Sequence, residues 1–128
     1  MKKFSFRLEK VLKLRSHTEN DAKVELGRAV SELSRIESCL DAVAAAQKKT
    51  GGNRFSGGNS MPRLCNYENY LLRLEAEREQ LLKEAAAAAI EVERAREVWA
   101  DARAGLKVME NLKEKKHAAY RKESQAEE

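Results

Sequence analysis

Two histidines, two cysteines and one glycine-rich stretch are where side-chain chemistry would have to begin in this 128-residue chain. His17 and His117 are the residue type that binds metals and moves protons near neutral pH. Neither has a second histidine or a cysteine at ligand spacing, so both read as solvated helix residues. Cys39 and Cys65 lack metal-type spacing and suit a reducing compartment. In the register derived below, Cys39 lies near Leu72. The sulfurs are then roughly 10 Å apart along the axis, beyond the reach of a disulfide. The stretch "KKTGGNRFSGGNSMPR", residues 48–63, holds four of the six glycines and the only proline. A phosphate loop requires Gly-x-x-x-x-Gly-Lys-Ser/Thr after a strand, and "GGNRFSGGNSM" has neither the lysine nor the strand. The carboxylates alternate with lysine and arginine along exposed faces, the pattern of solvated ion pairs. These residues assemble no catalytic, cofactor or metal site, and the chain reads as a non-enzyme.

The elements that carry them are helices. With 36% charged residues and 5% aromatics, the composition fits a long helix or coiled coil better than a sandwich or barrel. Steps of four and three residues pick out Leu8, Leu12, Arg15, Glu19, Ala22, Leu26, Ala29, Leu33, Ile36, Leu40, Val43 and Gln47. A second row runs through Leu64, Tyr67, Leu71, Leu74, Arg78, Leu81, Ala85, Ala88, Val92, Ala95, Trp99, Ala102, Leu106 and Met109. An apolar repeat of 3.5 residues means a left-handed coiled coil with a narrow buried stripe on each helix. The predicted fold is all-α, a single long antiparallel two-helix coiled-coil hairpin over 1–128. Helix 1 is expected over about 5–48, a turn over about 49–62 and helix 2 over about 63–123. Ser60 is expected to cap helix 2, with Pro62 in its first turn.

Folding one row back on the other sets Gln47 against Leu64, Val43 against Tyr67, Ile36 against Leu74 and Leu12 against Trp99. Large residues then face small ones in several layers. Sliding by one heptad would force Gly57 into the seam or leave Gln47 facing Leu71. Arg15, Glu19 and Arg78 interrupt the seam and read as register-specifying polar residues. In this pairing Glu19 reaches Arg94 or Arg96, and Arg15 reaches Glu93 or Glu97. Ala85 to Ala89 allow close approach of the helices.

At 1.5 Å per residue helix 1 spans roughly 65 Å and helix 2 roughly 95 Å if unbroken. Helix 2 is therefore expected to overhang from about Lys113, its seam carrying Lys113, Lys116 and Tyr120 without an intramolecular partner. Such a stretch would fray in isolation. Lys2, Lys3, Arg7, Lys10, Lys13 and Arg15 crowd the first fifteen residues against Glu9 alone. Arg103, Lys107, Lys113, Lys115, Lys116, Arg121 and Lys122 crowd the far end. An antiparallel hairpin brings both sets to one basic base, leaving a nearly neutral glycine-rich tip. Basic ends suit nucleic acid, yet the aromatic interleaving used for stacking is absent. They equally suit a plug entering an acidic protein ring. A third reading is an oligomer whose helices swap between chains through the long turn.

No apolar run approaches the roughly 20 residues that cross a membrane. "MKKFSFRLEK" lacks the apolar middle of a signal peptide, so the chain is expected in the cytoplasm.

Three segments carry a family resemblance: "FSFRLEKVLKLRSHTENDAKVELGRA", "NYENYLLRLE" and "KVMENLKEKKHAAYRKE". Together they cover about half the chain and resemble the FliJ family, the coiled-coil proteins of the flagellar type III export apparatus. Stalk proteins of virulence-type secretion systems are close relatives. The resemblance implies an antiparallel hairpin like the rotary ATP synthase gamma stalk. It implies a chain at the cytoplasmic side of the inner membrane, in the flagellar basal body. The paired termini would enter the pore of the hexameric export ATPase (FliI). The chain would also bind the cytoplasmic part of the export gate (FlhA) and escort export chaperones with their substrates. No nucleic acid is then expected as a partner. Taken with that implication, the basic base and the overhang offer Arg7, Lys10, Lys13, Lys113, Lys116, Tyr120 and Arg121 for ATPase contact. For the gate, an aromatic and a leucine four residues later match Tyr70 and Leu74, while Glu77 stands where the family commonly has a small residue. By heptad position alone, Tyr70 is off the seam and Leu74 is core.

Overall fold

The computed structural model describes residues 3–55, 57, 58 and 60–127. Two helices account for nearly all of them: α1, Glu9–Arg54, and α2, Met61–Glu127, with no strand among the described residues. They form an antiparallel hairpin. The expected seams are the faces that meet. Every seam residue is buried or half-buried except Leu8, Arg15 and Arg78. Two of those three exceptions are arginines, whose long charged side chains cover apolar surface while remaining exposed.

By its internal contacts the chain groups into two compact units, Arg28–Val92 and Met1–Gly27 with Glu93–Glu128. In the first, Ile36, Val43, Leu74, Leu81 and Ala88 form the core, with Leu33, Cys39, Leu40, Ala46, Leu71 and Ala85 packed against it. Ile36, at 2% exposed, is the most enclosed core residue. Removing its side chain to the β-carbon would cost about 2–5 kcal/mol.

The helix limits differ from those expected. α1 starts at Glu9 rather than near residue 5, and it continues through Thr50, Gly51 and Gly52 to Arg54 instead of stopping near 48. The connection is correspondingly short, and α2 begins at Met61. Two helical glycines cost about 1 kcal/mol each relative to alanine. What offsets that cost is a continuation of the seam in steps of three and four, through Thr50 and Arg54. Thr50 is 8% exposed, and Arg54 forms an ion pair with Glu68. The Phe55 N–H bonds the Gly52 carbonyl at 3.3 Å to close the last turn. Gly58 then adopts φ +87°, a left-handed conformation that side chains with a β-carbon resist. Ser60 caps α2 as expected, its Oγ accepting the Arg63 N–H at 3.4 Å.

The extra heptad of α1 moves the register by one heptad. In the core unit Gln47, expected against Leu64, donates to Glu75 Oε2 at 3.1 Å, one turn beyond Leu71. Arg54 takes the place beside Leu64 and reaches Glu68. In the terminal unit Trp99, expected against Leu12, gives its indole N–H to Glu19 Oε1 at 3.0 Å. Gly57 does not enter the seam, because the chain turns there. Glu19 is thus engaged by Trp99 rather than by Arg96, which pairs with Glu93 of its own helix at 3.2 Å. The Arg15 guanidinium lies across Gly105, where a β-carbon would stand 2.7 Å from Nη1.

Candidate partner-binding surfaces

The terminal unit holds the residues implicated in ATPase contact. Phe4 and Phe6 alternate along a non-helical segment, residues 3–8, that precedes α1. Phe6 is buried. The Phe4 ring stands edge-on to His117, with centroids 4.7 Å apart, and tilted against Tyr120 at 5.4 Å. The Phe6 carbonyl accepts the Glu9 N–H at 3.1 Å, which starts the helix. Glu9 then pairs with Lys113, Oε2 to Nζ, at 2.9 Å. Residues 3–9 therefore form a strap across the later turns of α2.

This strap revises three expectations. The stretch from Lys113 to Tyr120 has an intramolecular partner, so the bare overhang is replaced by a covered one. His117 is half-buried beside Phe4 rather than solvated. Lys113 is engaged by Glu9 and Tyr120 by Phe4, which leaves Arg7, Lys10, Lys13, Lys116 and Arg121 as the exposed members of the basic set. His17 is exposed, as its position implied, with Asp21 at 3.5 Å one turn on. The strap's aromatics escaped the periodic reading because two phenylalanines two apart fit no helical seam. Their alternation was the available signal, since period two marks extended chain.

In the core unit, Tyr70 is 38% exposed with the Arg73 guanidinium 5.4 Å from its ring centroid. Leu74, four residues on, is 6% exposed and belongs to the core. A partner can touch Tyr70 directly and Leu74 only through a change in packing. Leu72, between them, is 68% exposed. Among the described residues no three His, Cys, Asp or Glu side chains gather as a metal site. Cys39 and Cys65 are free thiols. No described helix is long and apolar enough to cross a membrane.

Comparison with known families supplies the deciding observation: the family described as "FliJ: Flagellar FliJ protein" matches residues 4–128. The chain belongs to the FliJ family. Membership makes it a component of the flagellar export apparatus, from a family of structural and adaptor proteins. No curated protein and no solved structure matches the chain significantly. The FliJ-family match begins at Phe4, the strap's first aromatic, so it takes in the strap as well as both helices.

Proposed function

We propose that this FliJ-family chain is a stalk and adaptor of flagellar protein export. Its terminal unit plugs the pore of the hexameric export ATPase (FliI), and the face around Tyr70 contacts the export gate (FlhA). The same protein escorts export chaperones and sits peripherally at the cytoplasmic side of the inner membrane. The observation that carries this reading is the gathering of exposed Arg7, Lys10, Lys13, Lys116 and Arg121 in one compact unit. The strap orders the α2 turns that bear Lys116. Cations held on an ordered scaffold favour an acidic lining, because less freedom is lost on docking.

The test is a fourfold reversal, Arg7→Glu, Lys10→Glu, Lys116→Glu and Arg121→Glu, in the full chain. All four side chains are exposed, so helicity and melting should survive while binding to and stimulation of the ATPase are lost. Binding of the unaltered protein should weaken as salt rises. Tyr70→Ala should spare ATPase stimulation and weaken gate binding. Normal stimulation by the fourfold variant would refute the plug. RNA binding at physiological salt that persists against bulk polyanion would put a nucleic-acid role in its place.

A further inference from the structure

The turn end of the core unit has a chemistry that neither the seam nor the terminal cations explain. Between Asp41 and Glu68 the sequence contains no carboxylate, yet it contains Lys48, Lys49, Arg54 and Arg63. That surplus of four equals the net charge of +4 on the entire chain. The tip is therefore basic, which corrects the nearly neutral tip expected from the crowding of cations at the other end. Glu68, the first carboxylate reached, is already engaged by Arg54. Lys48, Lys49 and Arg63 are all exposed.

On the same turn stand the two most exposed large apolar side chains among the described residues, Phe55 at 78% and Met61 at 72%. They flank the connection, one at each helix end. Each belongs to the class that is normally hidden, and each leaves the protein surface where the chain reverses. The Arg54 guanidinium lies over the Phe55 ring, 4.6 Å from its centroid.

We propose that this turn docks on an anionic lipid surface. Phe55 and Met61 enter the boundary between headgroups and acyl chains, and Lys48, Lys49 and Arg63 face the lipid phosphates. A fluid interface accepts exposed apolar side chains of this kind, with flanking cations at the headgroups. Lys48 and Lys49 stand on α1 and Arg63 on α2, on either side of the turn. Lys48 and Lys49 sit about 10 Å along the helix from Phe55, within about one Debye length of a surface that Phe55 has reached. A diffuse field of negative charge satisfies all three cations together.

The experiment uses the full chain with phosphatidylcholine vesicles, with and without phosphatidylserine. Phe55→Trp places a reporter at the turn, and the unaltered protein, whose only indole is Trp99, supplies the baseline. The expected result is a blue shift and quenching by brominated acyl chains, beyond that baseline, on phosphatidylserine vesicles alone. Phe55→Ser with Met61→Ser should reduce binding about tenfold, by loss of two interfacial apolar groups. Lys48→Glu, Lys49→Glu and Arg63→Glu together should reduce it by at least about a hundredfold. The fourfold reversal at the terminal unit should leave the Phe55→Trp signal in place, which separates this proposal from the ATPase plug. Absence of a shift or quench at Phe55→Trp would overturn it. So would full vesicle binding by the tip variants, which would assign attachment to the terminal cations. A larger blue shift with a soluble acidic polypeptide than with vesicles would overturn it in favour of a protein partner.

Discussion

Trp99 shows how a single polar contact fixes the terminal unit. Its indole donates to Glu19 from a half-buried position, and the Arg103 guanidinium lies 4.7 Å from its ring centroid. A carboxylate that accepts from a partly buried donor is held more strongly than a surface pair. Trp99→Phe keeps most of the apolar ring but removes the donor, and should destabilise the protein by about 1–3 kcal/mol. Glu19→Gln, which retains an acceptor oxygen, should cost less. Thermal melts of the two variants order them, and a larger loss for Glu19→Gln would mean that the bond contributes little. Glu19 sits in the seam as expected, and the contact the structure gives it is the Trp99 indole N–H.

At the scale of elements, the two limits of α1 carry the differences between sequence and structure. Both seams were legible because leucine, isoleucine, valine and alanine repeat every 3.5 residues over many heptads. The last heptad of α1 was not, because its seam positions are Thr50 and Arg54 and its neighbours are glycines. Polar seam residues look like surface, and Gly51-Gly52 looks like a turn. Tertiary contacts outweighed propensity there. Because the helix runs through them, replacing Gly51 and Gly52 by alanine should stabilise by about 1–2 kcal/mol, since neither added β-carbon meets anything within 4 Å beyond its own stretch of helix. Gly58→Ala, equally unobstructed but at φ +87°, should instead destabilise by about 1–2 kcal/mol. Opposite signs in one melting series would locate the helix end, and equal signs would contradict it. At the other limit, Phe4→Ala should speed amide exchange over residues 113–120 without changing the core unit. Unchanged exchange there would mean the strap does not hold α2. Of the partner surfaces, the basic residues were legible from composition. The engagement of Lys113 and Tyr120 was not, because it depends on a non-helical segment that no periodicity announces.

For the molecule as a whole, the narrow seam sets a thermal signature. The chain exposes 10007 Å² of surface at 14.5 kDa, against about 6,900 Å² for a compact globular protein of that mass. Less surface remains to be uncovered by unfolding, and the uncovered part is limited to two stripes. The heat-capacity increment of unfolding should fall below the roughly 12–15 cal/mol/K per residue of globular domains. Scanning calorimetry at several pH values would read it as the slope of unfolding enthalpy against melting temperature, and a slope within the globular range would contradict it. A small increment flattens the dependence of stability on temperature. This protein should lose little stability on cooling, and its folded fraction should vary gently across the range in which a motile cell assembles its flagellum.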